Sequence, residues 1–108
     1  MQSKIKYSPK AQKDLDNIWD YIEGTLYNPD AALRIVNGIM DRIDKLADFP
    51  ESGTNLEFAD GLKSGYRFVL FENYIAFYRI SANNVVYIDR VLYGARDYKK
   101  ILFPEDKN

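Results

Sequence analysis

The sequence contains no cysteine and no histidine. Without cysteine there is no disulfide framework, no thiol nucleophile and no cysteine-based zinc site. Without histidine, the commonest general acid/base and the commonest metal ligand are both missing. Catalysis, if any, falls to Asp, Glu, Lys, Arg, Tyr, Ser or the backbone. No Gly-rich loop is present either: Gly24 and Gly94 stand alone and read as stops of a helix and a strand rather than as a phosphate cradle. No cofactor box and no metal site is expected. The opening MQSKIKYSPKAQ lacks the apolar core of a signal peptide, and no run of ~18 apolar residues occurs. These absences give the expectation of a soluble cytoplasmic protein with no membrane partner.

What is present is the composition of a folded chain. The 108 residues are 46% hydrophobic, 15% aromatic and 29% charged, with nine tyrosines and six phenylalanines. That is enough apolar surface for one core and too little length for two, so residues 1–108 are read as a single domain. The net charge of −1 conceals an asymmetry. Residues 1–60 hold seven Lys/Arg and eleven Asp/Glu, a balance of −4, and residues 61–108 hold eight and five, a balance of +3. An anionic partner would be met by the second half.

Periodicity gives an α+β fold. Gln2 to Tyr7 alternates weakly and predicts a short strand. Ser8-Pro9 is a helix cap followed by proline at the first helical position. Ala11, Leu15, Ile18, Trp19 and Ile22 then repeat at the spacing of one helical face, up to Gly24. Asp14, Asp16, Asp20 and Glu23 are read as a solvated face. The start signal recurs at Asn28-Pro29-Asp30. A second stripe runs through Ala32, Ile35, Val36, Ile39, Ile43 and Leu46, with Met40 at its border, and Phe49-Pro50 ends it. Residues 50–65 are read as irregular. Tyr66–Phe71, Tyr74–Ile80 and Val85–Tyr93 predict three strands joined as hairpins, and residues 95–103 a short C-terminal turn. The expected architecture is a helical hairpin packed on one face of a curved, mainly antiparallel sheet, in the order β-α-α-β-β-β. The other face of the sheet is expected to be a wet aromatic–basic surface that meets a partner.

Three blocks carry a family resemblance: YSPKAQKDLDNIWDYI (residues 7–22), PDAALRIVNGIMDRIDKLADFPESG (29–53) and RFVLFENYIAFYRISANNVVYIDRVLYGARDYKKILF (67–103). Together and in this order they resemble the RelE/ParE toxin superfamily, and the long hairpin with its ADFPESG exit resembles the ParE branch. The resemblance implies the toxin half of a type II toxin–antitoxin pair, of the kind that serves plasmid stabilisation and causes growth arrest. It implies a hetero-oligomer in which the C-terminal segment of an antitoxin wraps the toxin. It implies DNA gyrase as the target if the chain is ParE-like. The alternatives are a RelE-like ribosome-dependent mRNA endonuclease and a non-toxic member that binds its partner and regulates its own operon.

The resemblance also selects residues. Arg67 opens the first meander strand and Arg96 follows the last, and in the superfamily fold these positions meet on the concave face. In RelE-like members the matching arginines hold the scissile phosphate, a task suited to a planar guanidinium. The alternative for both is a structural pair with Asp89, Asp97 or Glu72. Arg90 faces either that site or the helices, depending on strand register, and Arg79 reads as an ordinary exposed strand charge. Tyr93 stands where many relatives carry histidine, and tyrosine, with a pKa near ~10, is a poor base at neutral pH. Tyr98 and Phe103 are candidates for stacking on nucleic acid or for packing on the sheet. The target-binding set is thus Arg67, Arg96, Tyr93 and Arg90, and the catalytic set for the RelE-like alternative is Arg67, Arg96, Tyr93 and Tyr98. A pI of 5.4 favours a protein target over the ribosomal A site.

Overall fold

The computed structural model describes residues 3–57 and 63–94. Strand β1 (Lys4–Tyr7) leads into helix α1 (Pro9–Asp20), which loosens into a π-helical turn over Tyr21–Thr25. Helix α2 (Pro29–Asp44) ends in a 3-10 turn at Lys45–Ala47, and a second 3-10 turn, Pro50–Ser52, precedes β2 (Thr54–Glu57). Strands β3 (Lys63–Phe71), β4 (Tyr74–Ile80) and β5 (Val85–Tyr93) complete one five-stranded sheet in the order β1-β5-β4-β3-β2. β1 runs parallel to β5, and the other pairings are antiparallel. The expected helical hairpin on a mainly antiparallel sheet is what the chain forms. The stretch read as irregular contains β2 and the start of β3, because Leu56 supplies one buried anchor in an otherwise exposed strand and no alternation announces it.

Local chemistry sets both helix starts. Ser8 Oγ accepts the Ala11 N–H at 2.9 Å, Asn28 Oδ1 accepts the Ala31 N–H at 3.0 Å, and a proline follows each cap. α1 lies over β5 and α2 over β3. Their inward stripes, including Ala11, Leu15, Ile35, Ile39 and Ile43, close on Val69, Tyr78, Val86, Ile88 and Val91 of the sheet. Tyr78 has no exposed surface. Its hydroxyl accepts the Gly53 N–H at 2.9 Å and donates to the Pro50 carbonyl at 2.7 Å, tying the 3-10 turn to the core.

β1 is shorter than β5 and stops opposite Ile88. Beyond that point Ser8 and the Asp14 side chain complete the β5 edge, as buried backbone groups require. Ser8 N–H donates to the Ile88 carbonyl at 2.9 Å and Ser8 Oγ to the Asp89 carbonyl at 2.7 Å. Asp14 Oδ2 accepts the Val91 N–H at 2.9 Å. Asp14 is therefore buried rather than part of a solvated face.

The sheet's second face also departs from expectation. Leu56, Phe77 and Leu92 are buried there, with Tyr66, Phe68 and Ile75 packed against them. Among the described residues it holds a small apolar cluster of its own, while Leu70, Arg79 and Tyr87 are exposed. The register slips between Phe77 and Tyr78, where β5 carries an extra residue, Asp89, opposite β4. Such a bulge re-aims neighbouring side chains.

Candidate functional site

Arg67 sits opposite Tyr78 across the β3–β4 ladder and so shares the helix-side face. One guanidinium nitrogen donates to the carbonyls of Glu51 at 3.1 Å and Gly53 at 3.0 Å. Its described contacts are therefore with the 3-10 turn, while Glu72 is held by Arg34 of α2 and Asp89 by Arg79. Arg96, Tyr98, Asp97 and Phe103 lie outside the described residues.

Arg90 reaches the helices. Its Nε donates to Asp14 Oδ2 at 2.8 Å and its Nη2 to Asp14 Oδ1 at 2.9 Å, a bidentate pair. The hydrogen bonds to Asp14 hold the Arg90 guanidinium above its usual pKa despite partial burial.

The bulge brings a different group together on the opposite face. The Tyr66 hydroxyl donates to Asp89 Oδ2, the Arg79 guanidinium carbon lies 5.3 Å from the Tyr66 ring centroid, and Arg79 Nη2 is 3.7 Å from Asp89 Oδ1. Burial, and then the hydrogen bond to Asp89, push the Tyr66 hydroxyl up to about 12. Arg79, an ordinary strand charge by sequence, is the half-exposed cation of this group. Only the β5 bulge reveals it, and no sequence pattern marked that bulge.

Tyr93 stands at the other end of the sheet. It pairs with Tyr74 across β4–β5, their rings meeting edge to face at 5.6 Å. Arg67 pairs with Tyr78, four residues further along β4, which is ~13 Å at strand rise. The fold does not bring Arg67 and Tyr93 together. Tyr93 instead borders a groove of about 730 Å³ between the helical hairpin, the β3–β4 turn and the end of β5. Tyr21 and Leu26 border it too, and Ile22, Ile35 and Leu92 also line it. Burial raises the Tyr74 hydroxyl pKa, and the neighbouring Tyr93, Tyr21 and Glu72 add to this. Among the described residues no group of three or more Asp or Glu is placed to hold a metal, and no helix is long and apolar enough to cross a membrane.

Residues 5–98 match the family described as ParE toxin of type II toxin–antitoxin system, parDE. Y4kP of Sinorhizobium fredii, which carries a toxin designation, is 34% identical over 102 residues, covering 94% of this chain and 98% of that one. Toxin ParE1 of Mycobacterium tuberculosis is 28% identical over 102 residues, covering 94% and 100%. In fold, the chain is similar to a structure of the chromosomal ParDE system of P. aeruginosa, with a TM-score of 0.71, 24% identity, and coverage of 85% and 96%. It is also similar to one from the RelBE2 complex of M. tuberculosis, with a TM-score of 0.63, 19% identity, and coverage of 86% and 99%.

Proposed function

The chain belongs to the ParE toxin family of type II toxin–antitoxin systems, and from that premise we propose that it inhibits DNA gyrase and is neutralised by a cognate antitoxin in a hetero-oligomeric complex. The observation that carries the gyrase reading is the chemistry around two cations. Arg79 lies half-exposed against the Tyr66 ring and Asp89, Arg67 lies partly buried against the Glu51 and Gly53 carbonyls, and Tyr66 beside Arg79 is held protonated up to about 12. Cleavage of RNA needs a base for the 2′-hydroxyl and an acid for the leaving oxygen near neutral pH. With no histidine in the chain and this tyrosine moved further from neutrality, contact with a protein target is the better supported use.

Arg67, Tyr93 and Arg96 remain the proposed target contacts. Arg67 and Tyr93 act as two separate points, since their partners on β4, Tyr78 and Tyr74, stand four residues apart. Arg90, engaged with Asp14, supports the reading by holding β5 in place. Induced expression is the test. Gyrase inhibition predicts filamentation and a DNA-damage response while bulk protein synthesis continues at first. Early arrest of translation with mRNA cut at ribosome-occupied codons contradicts it, and growth without effect marks a non-toxic member.

A further inference from the structure

The parallel pairing of β1 with β5 sets Lys6 beside Tyr87, and the next ladder sets Tyr87 opposite Arg79. Arg79 in turn lies over the Tyr66 ring of β3, 5.3 Å from its centroid. Tyr78 and Ile88 are buried under the helices, so Arg79 and Tyr87, the residues next to them, take the opposite face. A row of lysine, tyrosine, arginine and tyrosine therefore crosses the sheet from β1 to β3, about 14 Å at ordinary strand spacing. Lys4, two residues before Lys6 on β1, stands on the same face. Lys4, Lys6 and Arg79 are exposed, and Tyr87 is 39% exposed.

Among the described residues no carboxylate pairs with Lys4 or Lys6. Arg79 meets Asp89, but at 3.7 Å and with its side chain 55% exposed it keeps donors for a further partner. Asp89 also accepts the Tyr66 hydroxyl. That carboxylate thus holds the inner end of the row in place before anything binds, which cuts the ordering cost of using it.

Lys4, Lys6 and Arg79 outnumber Asp89, so the row attracts anions. Nucleic acid fits it poorly. Affinity for a phosphate chain grows with each phosphate neutralised, and a strand crossing the row would meet Asp89. The Tyr66 ring is already covered by Arg79, which leaves Tyr87 to stack a base. A polypeptide with spaced carboxylates can place its charges on Lys6 and Arg79 and avoid Asp89. Tyrosine and arginine at the centre of a patch are also what protein interfaces favour.

We propose that Lys6, Tyr87 and Arg79 form a contact surface for an acidic, extended segment of the protein target, about four or five residues long at strand rise. The inference rests on the reading that this chain acts by contact with a protein. It adds a further point to Arg67, which faces the helices, and to Tyr93, which stands ~20 Å along β5 from Tyr87.

The test uses two fluorescent peptides of about twelve residues, long enough to overlap the row in several registers. One alternates glutamate with serine and the other lysine with serine, and each is titrated into the full chain at ~0.1 M salt. The glutamate peptide should bind at least about tenfold more tightly. Lys6→Glu with Arg79→Glu should remove that preference, and Tyr87→Ala should weaken the glutamate peptide. Lys13→Ala, at an exposed position of α1, should change nothing. In cells without antitoxin the double variant, shown to be folded by circular dichroism, should need about tenfold more protein to arrest growth.

Equal binding of the two peptides, or a preference that survives the double variant, overturns the inference. So does tighter binding of an oligothymidylate or oligouridylate of the same length that the double variant abolishes, since the row would then be a nucleic-acid site, for DNA or RNA according to which binds. Unchanged growth arrest by the folded double variant overturns it too, because the row would then meet something other than the target. Failure of the gyrase reading shows elsewhere, as supercoiling unimpaired by the wild-type chain, and leaves the peptide result to decide the row.

Discussion

Asp14 and Arg90 join the first helix to the last strand through two hydrogen bonds, Nε to Oδ2 at 2.8 Å and Nη2 to Oδ1 at 2.9 Å, with side chains only 9% and 20% exposed. The same carboxylate caps the Val91 N–H at the strand edge that β1 leaves open. Removing Asp14 strands a buried amide and a half-buried guanidinium together, and breaking such a pair costs about 3 kcal/mol or more. Asp14→Ala should lower the denaturant midpoint strongly, and Asp14→Asn less, because it keeps an acceptor for Val91. Equal midpoints for wild type and Asp14→Ala would remove the pair from the account of stability.

Tyr78 gives a second expectation. Replacing it with Phe leaves the Gly53 N–H and the Pro50 carbonyl without their partner, at about 1–3 kcal/mol. Gly53→Ala attacks the same junction sterically, since a Cβ there would lie 2.8 Å from the Phe68 carbonyl oxygen and against the Tyr78 hydroxyl. Both variants should unfold at lower denaturant. The Gly53 variant should not be rescued by Tyr78→Phe, because the backbone clash remains.

These contacts show where sequence reading succeeds and where it stops. The helix starts were legible because Ser8-Pro9 and Asn28-Pro29 are local signals that act through the next few amides. The meander was legible because Tyr66–Tyr93 is rich in aromatic and β-branched residues around two short turns. Asp14 was misread because its role depends on β1 ending at Tyr7 while β5 runs on, a fact of pairing length. Its spacing did hold a clue: Asp14 lies three residues after Ala11 and four before Ile18, on the buried face itself. β2 was missed because one buried leucine makes no pattern. The grouping of Tyr66, Arg79 and Asp89 depends on the β5 bulge, and the groove on how the hairpin tip meets the β3–β4 turn. Neither is written in periodicity.

Alkaline titration offers a third check. Tyr7 is raised to about 12, first by burial and then by the charge of Asp44, and Tyr66 to about 12 by burial and Asp89. In the unfolded chain both titrate near 10.0. The folded state thus keeps protons that the unfolded state releases. Their contribution to stability is full below pH ~10 and is lost as pH rises toward ~12. Tyr7→Phe should flatten that decline. It should not weaken the protein at neutral pH, since the Tyr7 hydroxyl is buried with no hydrogen-bond partner among the described residues. A steeper alkaline decline in Tyr7→Phe would contradict the assignment.

Arg67 separates fold from target contact. Its two bonds to the Glu51 and Gly53 carbonyls put the stability cost of Arg67→Ala at roughly 1 kcal/mol. A charged contact to the target is worth ~1.5–3 kcal/mol, about tenfold to a hundredfold in affinity. Toxicity per folded molecule should therefore fall by that factor in Arg67→Ala, and nearly as far in Arg67→Lys if both arms of the fork are used. Toxicity that falls only in step with the denaturant midpoint would leave Arg67 as a brace for the 3-10 turn.

Whether this ParE-family chain acts on gyrase is measured most directly by supercoiling of relaxed plasmid by purified gyrase with the purified chain added. Supercoiling should be inhibited in a dose-dependent way and should recover by about tenfold or more in dose with Arg67→Ala. Unimpaired supercoiling at a large excess of folded protein, together with cleavage of mRNA on purified ribosomes, would contradict the account and place the chain with the ribosome-dependent endonucleases.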